Sequence, residues 1–158
     1  MRCPYCVELH LPLKIDMKLE NRRRCQVRKM ITFDDFAIIV KEEVKLLPEY
    51  VHEKLNGGVL ADSSVYLHPG RVADDLYIFG TYSADPVFGK QIVLYYGSFA
   101  AVLGNSSESA YREKIRETVR HEFLHHLETR AGLYSKGTLA EEDAIKMQEY
   151  YNAHAADR

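Results

Sequence analysis

The chain has 158 residues, of which 46% are hydrophobic and 28% are charged, as in one soluble globular domain that needs no disulfide staples. No apolar run approaches the roughly 20 residues that span a bilayer, the first residues lack a secretory signal, and the three cysteines do not suggest a disulfide framework. These features predict a cytoplasmic protein without a membrane partner, and a formal net charge of −2 argues against nucleic acid as the main partner.

Residues 1–29 differ in composition from residues 30–158. They carry eight Lys or Arg against three Asp or Glu, whereas the rest of the chain is acidic. Three interpretations compete: a disordered basic tail, sequence upstream of the true start at Met30, or a small metal module. The module would use Cys3, Cys6, His10 and Cys25. One CxxC pair is weak support for structural zinc, so we expect a basic tail before one domain over residues 30–158.

The domain is predicted to open with a helix. Thr32 precedes an apolar pattern with helical spacing, and Asp35 stands three residues later, as in a capping box. The pattern extends over about residues 33–47, and Pro48 can begin a second short helix over residues 48–55.

Three strand-like segments follow, over residues 59–67, 76–82 and 91–96. Asp85-Pro86 and Gly89 lie between the last two segments and indicate a hairpin loop.

The final third of the chain returns to helical spacing. A long helix is predicted over about residues 109–131, with Gly132 as its natural stop. A last helix is predicted from about residue 138 to residue 153.

The predicted long helix contains the pattern HExxH. His121 and His125 are four residues apart, so their side chains lie one above the other on a helix, about 40° apart around its axis. Two imidazoles placed in this way can bind one divalent metal ion. Glu122 is offset by about 100°, where it can take a proton from a metal-bound water whose pKa the metal lowers toward ~7. The pattern therefore predicts a hydrolytic metal site.

HExxH also occurs by chance in unrelated proteins, on solvated helices with incidental histidines. Here it lies in a segment with strong helical periodicity, and apolar residues surround it, as a partly buried ligand helix requires. These residues are Val119, Phe123, Leu124 and Leu127. We therefore favour the metal site.

Longer stretches of the chain resemble one family. They are FDDFAIIVKEEVKLLPEYVHEKLNGGV, LYIFGTYSADPVFGKQIVLYYGSF and ETVRHEFLHHLETRAG, and the doubled histidine His125-His126 is their most particular feature. They resemble the small bacterial zincin-like metallopeptidases with the motif HExxHH. The resemblance implies an α+β zincin-like fold, in which a small mixed or antiparallel sheet packs against a long active-site helix, with N- and C-terminal helices. It also implies one zinc ion held by His121 and His125, with Glu122 as catalytic acid and base.

The sequence leaves the third metal ligand open. One common pattern of the family has a glycine and an acidic residue after HExxHH, but Glu128 and Ala131 stand there, as in a branch with a later ED pair. The cluster Glu141-Glu142-Asp143 opens the next helix, and we favour Asp143 ahead of Glu142 as the ligand. The alternative is that these acids only stabilise a helix N-terminus through its dipole.

Two further residues of the motif segment are expected to support the ligands. Glu128 lies on the metal face but about 10.5 Å along the axis from His121. We therefore expect it to accept a hydrogen bond from a ligand imidazole, with metal binding as the alternative. His126 points about 100° away from His125, so we expect it to be packed or hydrogen-bonded beside the site.

Tyr95 and Tyr96 follow a strand that could bind substrate. Zincins commonly bind an extended peptide along an edge strand beside the active helix. We suggest that the segment over residues 91–96 is this edge and that both tyrosines contact the substrate. The alternative is that alternate residues of the strand pack the core.

Two functions are compatible with these features. The leading hypothesis is a zinc-dependent hydrolase, a metallopeptidase that cleaves peptide or amide bonds in a peptide or protein substrate, with Glu122 as general base. The alternative is a non-catalytic peptide-binding module on the same scaffold, with a structural or lost metal. The substrate and the oligomeric state are left open.

Overall fold

A computed structural model describes residues 30–133 and 138–155. They form four α-helices and a three-stranded sheet, which agrees with the predicted α+β class. The interpretations of residues 1–29 lie outside the described residues. In chain order the elements are α1 (Phe33–Lys45), a 3-10 turn (Glu49–His52), β1 (Gly58–Asp62), β2 (Gly80–Asp85), β3 (Gly89–Tyr95), α2 (Tyr96–Leu103), α3 (Glu108–Ala131) and α4 (Leu139–Ala153).

Local capping explains where α1 begins. The N–H of Asp35 donates to the Thr32 hydroxyl, and the N–H of Thr32 donates to the Asp35 carboxylate, so the predicted capping box is confirmed. α1 ends at Lys45, just before the predicted end, and the second short helix is a 3-10 turn.

None of the helices in the described ranges combines the length and apolar character that crossing a membrane requires.

The three strands form a mixed sheet in the order β1-β3-β2. β2 and β3 are antiparallel and make the predicted hairpin, whereas β1 runs parallel to β3. The strand predicted over residues 76–82 begins only at Gly80, and the chain before it makes an isolated bridge between Leu67 and Tyr77.

β3 is the central strand, so the prediction that it forms an open edge is wrong. Both of its sides hydrogen-bond to neighbouring strands, with Leu60 of β1 and Thr81 of β2 on either side of Val93. A substrate strand has no room beside it, because strand addition needs an unpaired edge.

The main core lies between α3 and the sheet, and α1 closes its side. Side chains alternate across a strand, so Ile92 and Leu94 of β3 are fully buried while Val93 between them is partly exposed. The buried residues that α3 and α1 contribute include Tyr111, Ile115, Val119, Phe123, Phe36, Ile39 and Val40. Packing along most of its length therefore fixes α3 relative to the sheet.

A second, smaller cluster anchors α4. Met147 and Tyr150 of α4 are buried against Leu76, which precedes β2. The Tyr150 hydroxyl donates to Asp75 Oδ1 at 2.8 Å and accepts the N–H of Val72 at 2.9 Å. The loop before β2 therefore holds the C-terminal half of α4.

Candidate metal centre

α3 carries the HExxH residues in its interior. The Ser107 side chain caps its start by accepting the N–H of Ala110, and Gly132 follows its last residue with a left-handed φ of 69°. The predicted helix and its glycine stop are therefore confirmed. Within it, Glu122 and His125 are buried and His121 is slightly exposed.

Three possible ligand atoms meet between α3 and α4. His121 Nε2 and His125 Nε2 lie 3.2 Å apart. Asp143 Oδ2 lies 3.4 Å from His121 Nε2 and 3.2 Å from His125 Nε2. Among the described residues, these three therefore form a group that could hold a metal ion. They are the three residues that the sequence analysis favoured as ligands.

Asp143 has the environment of an ionised ligand. Its side chain is fully buried, at 0% exposure. Burial alone would raise its pKa, but hydrogen bonds and charge attraction from His121 and His125 outweigh burial and hold the pKa of Asp143 below its usual value. Its carboxylate is therefore held in the ionised form, which is the form in which a carboxylate binds a metal.

Glu142 does not share this environment. It is exposed on the outer face of the first turn of α4, next to the exposed Glu141. Only Asp143 of the acidic cluster is turned toward α3, because successive helical residues point about 100° apart. Asp143 therefore lies where a ligand would lie, whereas Glu141 and Glu142 are exposed acids at the N-terminus of α4.

Glu122 is buried against the beginning of β2. Its exposure is 2%, and a Cβ built on Gly80 would lie 3.1 Å from Glu122 Cγ and 2.8 Å from Thr118 Cγ2. Glycine therefore lets the strand approach the helix closely, because a larger residue would have to push these two side chains aside. The sequence analysis did not single out Gly80, although a lone glycine within the strand-like run LYIFGTY was a usable signal.

Glu128 contacts α4. Its carboxylate accepts the N–H of Leu139, with 3.0 Å to Oε1 and 3.3 Å to Oε2. The carboxylate therefore contacts the first residue of α4, and not a ligand imidazole as the sequence analysis predicted. Its distance along the axis keeps it outside the group formed by His121, His125 and Asp143.

His126 joins α3 to two other parts of the fold. It is fully buried, and its Nε2 lies 2.9 Å from the carbonyl oxygen of Glu53, which can only accept. Nε2 therefore carries the proton, and Nδ1 accepts from the Tyr82 hydroxyl at 3.3 Å. Burial is the main cause that lowers the pKa of His126. The prediction that this residue is packed and hydrogen-bonded is confirmed.

The two tyrosines suggested as substrate contacts serve different parts of the structure. The Tyr95 hydroxyl lies 3.1 Å from Thr81 Oγ1, across the β2–β3 pair. Tyr96 begins α2, and its hydroxyl donates to the carbonyl oxygen of Ile31 at 2.7 Å. The hydrogen bond to Ile31 places Tyr96 beside the start of α1. Because β3 is the central strand, the structure does not support the suggestion that both tyrosines contact a substrate strand.

Comparisons with known proteins support a shared fold. No family model matches the chain, and no curated protein matches it. One similar solved structure is a conserved hypothetical protein from Thermo thermophilus, with a TM-score of 0.55 and 31% sequence identity. The match covers 64% of this chain and 98% of that chain. The chain therefore belongs to the same family as this hypothetical protein, whose description names no activity.

Proposed function

We propose that the protein is a zinc-dependent metallopeptidase that hydrolyses peptide or amide bonds in a peptide or protein substrate. The observation that carries the proposal is the convergence of His121, His125 and Asp143 beside a buried Glu122 on the same helix. Two imidazoles and one carboxylate are a donor set that catalytic zinc sites use.

The spacing of the three donor atoms suits zinc. Zinc bonds to nitrogen and oxygen are about 2.0–2.1 Å long, so neighbouring ligand atoms of a tetrahedral site lie about 3.3 Å apart. The separations of 3.2, 3.2 and 3.4 Å match this spacing. Three protein ligands would leave the fourth tetrahedral position for water, which is the pattern of catalytic rather than structural zinc.

Glu122 would move the protons of the reaction. Zinc, when bound, supplies an acidified water and polarises the substrate carbonyl. Glu122 follows His121 directly and therefore flanks the ligand pair, where its carboxylate can accept the proton of the attacking water. The same group then donates this proton to the leaving amine, as a single acid and base. At 2% exposure, Glu122 is largely shielded from bulk solvent.

Metal analysis combined with a hydrolysis assay tests the proposal. We expect the full-length wild type to bind about one zinc ion per chain. We expect it to cleave denatured casein only when zinc is present and a chelator is absent. Glu122→Gln keeps the size of the side chain and lacks its base, so it should bind zinc and lose hydrolysis. A chain that binds no zinc, or a Glu122→Gln variant that cleaves as fast as the wild type, overturns the proposal.

A further inference from the structure

α4 begins without a side-chain cap of its own. Thr138 occupies the N-cap position, but its side chain makes no capping hydrogen bond. The N–H of Leu139, the first residue of α4, instead donates to the Glu128 carboxylate of α3 at 3.0 and 3.3 Å. Glu128 thus satisfies a backbone donor that helix geometry leaves open, and it places a negative charge at the positive end of the α4 dipole.

The same two helices meet again at the candidate metal centre. Asp143 lies four residues after Leu139, on the same face of α4 and about 6 Å further along its axis. Glu128 lies three residues after His125, about 4.5 Å further along α3. The contact between Glu128 and Leu139 therefore lies about one helical turn from the contact between His125 and Asp143. Both α4 residues are buried, at 7% exposure for Leu139 and 0% for Asp143.

Asp143 depends on the position of the α4 backbone. An aspartate side chain has only two rotatable bonds, so its carboxylate cannot follow the imidazoles if α4 shifts. The C-terminal half of α4 is held by the loop before β2 through Met147 and Tyr150. At the other end, the described contacts that join the first turn of α4 to α3 include the carboxylate of Glu128.

We infer that Glu128 is a positioning residue that fixes the first turn of α4 and thereby holds Asp143 at the metal centre. This inference rests on the proposed function, because it concerns the same ion. Glu128 lies outside the group of possible ligand residues. Its effect passes through the backbone of α4, so losing it weakens metal binding and distorts the coordination geometry without removing a ligand.

Variants on both sides of the contact test this role. Glu128→Ala removes the acceptor, and Glu128→Gln restores an oxygen acceptor without the charge. Leu139→Pro removes the donor at the first helical position, where proline is tolerated, and also a buried side chain, so it is compared with Leu139→Ala, which keeps the donor. The matched control is Glu53→Ala, which removes a carboxylate that pairs with Arg130 near the same end of α3. Circular dichroism verifies that each full-length variant is folded.

Two measurements separate positioning from general stability. The dissociation constant for zinc is measured by competition with a chromogenic chelator, and the visible spectrum of bound Co²⁺ reports the coordination geometry. We expect Glu128→Ala and Leu139→Pro to weaken zinc binding by about 10- to 100-fold and to change the cobalt spectrum. Glu128→Gln should recover most of the affinity, and Glu53→Ala should stay within about twofold of the wild type because its ion pair is on the surface.

The outcomes distinguish this inference from the proposed function. A wild type that binds neither ion overturns the metal site and, with it, the role of Glu128. A wild type that binds zinc, together with folded Glu128→Ala and Leu139→Pro variants of unchanged affinity and cobalt spectrum, overturns only the positioning role. Lower melting temperatures with unchanged spectra would likewise assign the contact to stability alone.

Discussion

Gly80 of β2 lies directly against Glu122 of α3. A Cβ on Gly80 would be 3.1 Å from Cγ and 3.2 Å from Oε1 of the glutamate. The separation from Cγ is shorter than the roughly 3.5–4.0 Å of a favourable contact between two carbon atoms. The strand therefore packs against Glu122, and a side chain at position 80 would push against both Glu122 and Thr118, whose Cγ2 would lie 2.8 Å away.

We expect Gly80→Ala to lower the rate of hydrolysis and to leave zinc binding nearly unchanged. Under the proposed function Glu122 is the general base, and its displacement should lower kcat by about tenfold or more. The dissociation constant for zinc should stay within about threefold, because the histidine ligands are not touched. Ser83→Ala is the matched control, since alternating side chains put Ser83 on the opposite face of β2 from Tyr82, which contacts α3. A Gly80→Ala variant with the wild-type kcat would contradict this account of Glu122.

Removing the charge of Asp143 should weaken metal binding strongly. Asp143→Asn preserves the size of the buried side chain but replaces a carboxylate oxygen that lies within 3.4 Å of both imidazoles. We expect the zinc affinity to fall by more than the roughly 10- to 100-fold that is typical of residues behind the ligands. Glu142→Gln alters the exposed neighbour and should bind zinc like the wild type. Equal affinities for the two variants, measured by chelator competition, would remove Asp143 from the ligand set.

A buried carboxylate outside the metal centre joins α1 to α3. Glu43 is 3% exposed, and its carboxylate accepts hydrogen bonds from Arg116 at 2.9 Å and from Arg112 at 3.3 Å. We expect Glu43→Gln to lower the free energy of unfolding at pH 7 by about 2–3 kcal/mol, discounted because both arginines are partly exposed. Glu42→Gln, which alters an exposed partner of Arg112, should cost about 1 kcal/mol or less in the same denaturant titration.

The contribution of Glu43 should disappear in acid. Burial alone would raise its pKa, but hydrogen bonds and attraction from Arg116 and Arg112 outweigh burial and hold the pKa of Glu43 below its ordinary value of 4.5. A lowered folded-state pKa gives stability that is complete above the unfolded pKa and lost as the pH falls through the folded one. The stability difference between wild type and Glu43→Gln should therefore shrink below pH 4.5. A stability difference that grows in acid would show that the folded-state pKa of Glu43 is not lowered.

The second histidine of the doubled pair should matter for stability and not for metal content. His126→Ala removes both the hydrogen bond to Glu53 and the one from Tyr82, and leaves a cavity. The free energy of unfolding should fall by about 2–4 kcal/mol. Tyr82→Phe removes only one hydroxyl and should cost about 1 kcal/mol. Both variants should retain zinc, and loss of zinc from folded His126→Ala would instead make His126 part of the metal centre.

The helical part of the site could be predicted because it depends on local structure. The relation of His121, Glu122 and His125 follows from helix periodicity, and the end of α3 follows from the conformational freedom of Gly132. Asp143 could only be favoured, since its position depends on how α4 folds back on α3. The ligand set itself is still a prediction, which the variants above test.

Contacts between distant elements could not be predicted from periodicity. The run QIVLYY has the same pattern in a central strand and in an edge strand, and only the parallel pairing with β1 makes β3 central. α2 was missed because it begins at Tyr96 directly after β3, with no breaking residue between them. The first turn of α2 passes close to a distant loop at Gly97, where a Cβ would lie 2.6 Å from the backbone of Val65.

The centre takes its atoms from two helices, and the sequence separation between His125 and Asp143 is 18 residues. A zinc ion held there would join α3 to α4, so its binding would add to the free energy of unfolding. Free zinc at 100 times its dissociation constant would add about 2.7 kcal/mol to the native state. The melting temperature would then report the zinc concentration of the surrounding solution, and a chelator would act on this protein as a mild denaturant.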